Sequence, residues 1–171
     1  VLLEVTLNPL PHMQREPFGM VVLPLLSLWI SNATMCFGYA SAPYDPIWAY
    51  RNPRKSALMS AAGPLANVLL AAIAFAVLYG LGRPVGANEE AVATIAFTFL
   101  ALNILLAVFN LLPLRPLDGA GVVVGLFPQT RGFYDLIDRI PYASILTFIL
   151  LIQVLPHVYR PVLFAVVGLL P

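Results

Sequence analysis

Asp118 is the residue of this chain whose setting most suggests chemistry. It stands near the end of the stretch NLLPLRPLDG, 110–119, three positions after Arg115, and Arg115 and Glu90 bracket 24 uncharged residues. A carboxylate at the centre of a bilayer costs roughly 2.5–3.5 kcal/mol on insertion scales, and less near the interface. Pro113 and Pro116 flank the position, and proline cannot continue a helix without losing a backbone bond. The chain is therefore expected to unwind here, and irregular backbone at membrane depth is tolerated only where it is buried in protein or lines a wet cavity. A plainer reading stands beside this one. Asp-Gly is a common turn pair, which would make Asp118 an interfacial turn residue.

The other residues with chemical potential are scattered. The only histidines, His12 and His157, lie 145 positions apart, and no HExxH motif occurs. A catalytic zinc takes three protein ligands and keeps a fourth position for water, and these two histidines form no i, i+4 pair that would place both on one helix face. His12 reads as a solvated or interfacial loop residue, or as an accessory proton carrier near a site. His157, in VLPHVYRP, reads as interfacial at a helix end. Glu4 and Glu16 have no neighbouring histidine and read as loop carboxylates. Cys36, the single cysteine, excludes an internal disulfide framework and is most simply a small buried apolar residue.

The elements that must position Asp118 follow from composition. Hydrophobic residues make up 60% of the 171 and charged residues 10%, with a mean hydropathy of +0.88, whereas about a quarter of a soluble domain is charged. The expected fold class is all-α, a polytopic transmembrane helical bundle forming one domain over 1–171. A net charge of +1 and the lack of a basic run give no footprint for nucleic acid. Gaps between charges of 28, 27, 24 and 20 residues each reach the length of about 20 needed to cross a bilayer. Spans are expected near 17–40, 57–82, 91–114 and 142–171. The first holds Pro24 and the polar SNAT at 31–34, so it either crosses or re-enters. In the last, LPHVYRP either ends one span or divides two short ones.

Sixteen prolines are expected at segment ends, where they break helices. Ser60, Ala61, Ala62, Gly63 and Ala66 would let a neighbouring backbone approach closely. Arg51, Arg54 and Lys55 lie in 41–56, and Arg115, Arg131 and Arg139 in 115–141, while 83–90 sets Arg83 against Glu89 and Glu90. The positive-inside rule then places 41–56 and 115–141 in the cytoplasm, with Asp118 at or near that membrane face. The sequence begins without an initiator methionine, a basic n-region or a signal cleavage site, so residues upstream are expected to belong to the protein.

Three stretches stand in one order: TLNPLPHMQREPFG (6–19), AAGPLAN (61–67) and NLLPLRPLDG (110–119). Together, and across nearly the whole chain, they resemble the site-2 protease (M50) family of intramembrane zinc metalloproteases, particularly its compact prokaryotic members. RNPRKSALMSAAGPLAN is similar to the stretch that opens that family's core helix. The resemblance implies that Asp118 is the third zinc ligand, that Asn110 helps hold the substrate strand or the site, that Pro113 shapes the turn and that Gly119 lets the backbone pass close by. Asn67 matches a family position near the active-site helices, with interhelical hydrogen bonding as its alternative role. It also implies zinc as cofactor, a membrane-protein substrate, and residence in a prokaryotic cell membrane. The family's HExxH helix, which supplies two histidines and the glutamate base, is missing, so no catalytic residue is found in this chain. Either the helix lies upstream or the chain is a homologue without zinc chemistry; the start just before TLNPLPH favours the former. A non-catalytic membrane scaffold or transporter-like protein is the alternative, with Asp118 then a lone intramembrane polar group.

Overall fold

A computed structural model describes residues 45–140 and 143–171, with isolated positions between 21 and 29. The chain divides into two compact units, Val1–Pro46 and Ile47–Pro171, and nearly all the described residues belong to the second. The expected 17–40 segment, with His12, Glu4, Glu16 and Cys36, lies outside the described residues or almost wholly so.

A short helix, α1 (Pro46–Arg51), leads into α2, Pro53–Leu81. Asn52 separates them and returns its Nδ2 to the Trp48 carbonyl at 3.1 Å. Pro53 takes the first helical position, where its fixed φ suits the helix and its missing N–H costs nothing. α2 ends at Gly82, whose φ of +64° is paired with an N–H bond to the Leu78 carbonyl at 3.1 Å, a glycine stop that other residues would strain. Five residues later α3 (Ala87–Leu111) begins. Glu89 and Glu90 lie in its first turn, where the helix dipole favours negative charge, and Glu89 also accepts the Val85 N–H at 2.7 Å. So short a connection folds α3 back along α2 as a hairpin.

Small residues make the seam of that hairpin. Ala71, Ala74 and Leu78 of α2 pack against Ala96, Leu100 and Ile104 of α3. The final long helix, α6 (Ala143–Val167), adds Tyr159, Leu163 and Val166 to this cluster. Most of the remaining apolar surface faces outward: only 22% and 28% of the most apolar windows of α2 and α3 are buried. A core helix of a soluble protein would be mostly covered. Both helices are long and apolar enough to cross a membrane, and among the described residues there is no strand. The chain is an all-α membrane protein.

Prolines depart from the sequence expectation. Pro64 lies inside α2 and Pro156 and Pro161 inside α6, and α6 runs through LPHVYRP as one helix. Proline in a helix interior costs about 3 kcal/mol in water. In a membrane bundle neighbouring helices and local adjustments satisfy the freed groups, and Pro64 is among the most deeply buried side chains.

The 115–141 stretch, expected as a loop, holds two helices. α4 (Asp118–Leu126) and α5 (Arg131–Asp138) are joined by a 3-10 turn, Pro128–Thr130. α4 lies on the first half of α2, its Gly121 against Ser60 and its Gly125 against Pro53 and Ala57. Of the small residues expected to form a close-packing face, Ser60 and Gly63 come against α4, joined by Ala57, while Ala62, Gly63 and Ala66 stay exposed and Ala61 is half-buried.

Candidate functional site

The chain leaves α3 at Leu111, two residues before Pro113. Six residues, 112–117, then turn it into α4. Their own hydrogen bonds are short-range: Leu112 N–H to the Phe109 carbonyl at 3.3 Å, Leu114 N–H to Leu112 at 2.8 Å and Leu117 N–H to Leu114 at 2.8 Å. The Arg115–Pro116 peptide is cis. Gly119 is buried, and a Cβ there would collide with the carbonyl oxygens of Leu111 and Leu112. The turn thus doubles back so tightly that only glycine passes.

Asp118 is the first residue of α4. A Cβ built on Gly63 of α2 would stand 3.6 Å from its Oδ2, so the carboxylate lies over a bare α-carbon. The structure thereby brings LDG and GPLAN together. Gly63 follows Lys55 by eight residues, about 12 Å along a helix axis, so Asp118 lies some way below the last charge of α2. The side chain is half-buried, with no hydrogen bond or ion pair among the described residues. Burial raises its pKa above the ordinary carboxylate value. Asn67 follows Gly63 by four residues, on the same face of α2, and Asn110 lies in the last turn of α3; both are half-buried. Neither side chain makes a hydrogen bond among the described residues.

His157 lies inside α6 rather than at a helix end. Its Nδ1 lies 2.8 Å from the Gln153 carbonyl, on an exposed surface. Among the described residues no group of three His, Cys, Asp or Glu side chains could hold a metal ion. Asp118 could fill one ligand position, its carboxylate beside Gly63 and without a hydrogen bond or ion pair among the described residues. By themselves the described residues do not make a zinc site, which needs three protein ligands.

Sequence reading misses what holds the turn. The Tyr134 hydroxyl of α5 donates to the Pro113 carbonyl at 3.0 Å. Arg115 Nη1 reaches Asp138 Oδ2 at 2.6 Å and its Nη2 lies 4.0 Å from Asp135, while the guanidinium carbon is 5.6 Å from the Tyr134 ring centre. At the other end of α5, Arg131 lies over the Tyr50 ring at 4.5 Å. The signal that could have found α5 is RGFYDLID, whose apolar Phe133, Leu136 and Ile137 alternate with charges at helical spacing. Asn103 also escapes the sequence reading; it is buried in α3 and donates to the Phe99 carbonyl at 2.8 Å.

Two relatives carry sequences similar to this one. The chain is 32% identical over 130 residues to a Bacillus subtilis protein named "Putative zinc metalloprotease YwhC", covering 72% of this chain and 54% of that one. It is 31% identical over 132 residues to "Putative zinc metalloprotease Rip2" of Mycolicibacterium smegmatis, covering 74% and 46%. The chain spans about half the length of these curated relatives. No protein-family model matches it, and no solved structure does. The relatives' names are those of zinc metalloproteases, and the all-α membrane fold and the linked GPLAN and LDG motifs are consistent with a site-2-protease-like family.

Proposed function

We propose that this chain carries the carboxylate arm of an intramembrane zinc metallopeptidase, with Asp118 as one protein ligand to the metal. The observation that carries the reading is the carboxylate at the break between α3 and α4, held over Gly63 and without a hydrogen bond or ion pair among the described residues. Bound zinc polarises a scissile carbonyl and lowers the pKa of its water; the two other protein ligands and the proton acceptor belong to the HExxH helix of the full-length protein. Asp118 supplies one negative oxygen donor and offsets part of the metal's charge. Gly119 fixes where the carboxylate leaves the turn. Asn67 on α2 and Asn110 at the end of α3 help hold an extended substrate strand or the site.

The substrate is a membrane protein whose helix unwinds beside α2, since a peptide bond inside a helix is shielded from attack. Small residues on α2 leave room for that strand. The protein resides in a prokaryotic cell membrane, with 41–56 and 115–141 on the cytoplasmic side.

The test is cleavage of a transmembrane reporter by the full-length protein, with Asp118→Asn beside it. Cleavage should fall below about a hundredth of wild type, with bound zinc falling in parallel. Undiminished cleavage by Asp118→Asn would remove Asp118 from the metal site. Chain 1–171 alone should bind zinc poorly, because one carboxylate is not a site; stoichiometric zinc in the purified chain, lost in Asp118→Ala, would contradict this.

A further inference from the structure

We propose that α5 is a strap that sets the position of Asp118, with Tyr134 and Asp138 as positioning residues that touch neither metal nor substrate. The proposal rests on Asp118 being a metal ligand. The hydrogen bonds within 112–117 reach only two or three residues along the chain. They shape the turn but do not fix it against the rest of the molecule.

α5 supplies that fixing from both sides of Asp118. Before it in sequence, the Pro113 carbonyl takes the Tyr134 hydroxyl at 3.0 Å, and Arg115 takes Asp138 at 2.6 Å. After it, Ala120 and Val124 form a buried cluster with the same Tyr134 ring. One side chain, 5% exposed, therefore touches the chain on either side of the carboxylate. The strap is itself held at its far end, where Arg131 lies over Tyr50.

Magnitudes separate positioning from mere stability. Arg115 and Asp138 are about two-fifths exposed, and exposed ion pairs contribute a median of about 0–1 kcal/mol. The global fold gains little from such a pair. A ligand-bearing turn gains geometric definition, and misplacement by about 1 Å can cost a hundredfold in rate.

The experiment uses the full-length protein in detergent, loaded with zinc, as wild type and as Tyr134→Phe, Asp138→Asn, the charge exchange Arg115→Asp with Asp138→Arg, and Asp118→Asn. Four quantities are measured: zinc release into a chelator, kcat and KM on a transmembrane reporter, deuterium exchange of peptides spanning 112–120, and Tm. Tyr134→Phe and Asp138→Asn should release zinc about tenfold faster, the range set by outer-shell partners. They should lower kcat with KM unchanged, exchange faster at 112–120 and keep the wild-type Tm. The charge exchange should recover most of the loss relative to Asp138→Asn.

Wild-type zinc release and kcat in both single variants, with zinc lost in Asp118→Asn, would overturn the strap and leave the metal reading intact. Zinc kept and cleavage undiminished in Asp118→Asn would instead overturn the metal reading, and with it the assignment of Tyr134 and Asp138. Should Tyr134→Phe fail to fold, Asp138→Asn and the charge exchange decide: wild-type exchange at 112–120 in Asp138→Asn, or no recovery in the charge exchange, overturns the proposal.

Discussion

Glycine and aspartate, side by side at 118–119, do opposite things to stability. A Cβ at Gly119 would overlap two backbone carbonyls, atoms that cannot swing aside as a flexible side chain would. Gly119→Ala should therefore cost at least the roughly 1–3 kcal/mol of an overpacked core, read as a fall in Tm in detergent; an unchanged Tm would mean that the turn relaxes freely. Asp118 works against the fold instead. Burial raises its pKa, so the folded protein binds the proton more tightly than the unfolded chain does. In metal-free protein, stability should fall as pH rises from the ordinary carboxylate value through the raised one. Asp118→Asn should remove that slope, and thermal unfolding across the range checks it. Asp118 is legible in the sequence because a charge at the end of an apolar run is costly and LDG belongs to a linked set. Tyr134 is not, because a tyrosine between charges looks like any surface helix residue until its hydroxyl is seen at Pro113.

Helices that pack through glycine leave little tolerance in their spacing. Gly125 of α4 meets Pro53 and Ala57, and Gly121 meets Ser60, two helix backbones in near contact as small residues allow. Gly125→Val should push α4 off α2 and lower Tm, by an overpacking cost again of about 1–3 kcal/mol, whereas Gly132→Ala, with nothing within 4 Å of its would-be Cβ, should leave Tm within error. Charge gaps give the spans 57–82 and 91–114, and the helices found there, Pro53–Leu81 and Ala87–Leu111, begin four residues earlier and, for the second, end three earlier. The differences have a cause. A charge gap marks where lipid can begin, not where a helix starts, and Pro53 and Pro113 set the true ends. α4 and α5 escape a reading by charge gaps because nine and eight residues are too short for a span; only the helical spacing within RGFYDLID signals α5.

Across the whole molecule, the basic residues of two distant stretches gather at one end. α4 runs from Asp118 beside Gly63 to Gly125 beside Pro53, and Arg131 then lies over Tyr50, close in sequence to Arg51, Arg54 and Lys55. Fusing an alkaline phosphatase reporter, active only outside the cytoplasm, within 83–90 and after residue 139 should give activity at the first junction and none at the second. The opposite pattern would invert the topology. The fold class and the hairpin can be read from the sequence because lipid imposes simple rules on length and charge. The meeting of two motifs more than 50 residues apart cannot, since it depends on how tightly α4 lies on α2.

Gly63 is exposed, and its bare α-carbon lies beside the Asp118 carboxylate. A cysteine placed there, in a Cys36→Ser background, would be the only thiol of the chain and would sit beside the carboxylate. Its alkylation by small charged reagents, with and without zinc or a substrate peptide, would time the arrival of water and of substrate at that depth. The bare α-carbon that gives the aspartate its room thus also provides a place from which to watch it.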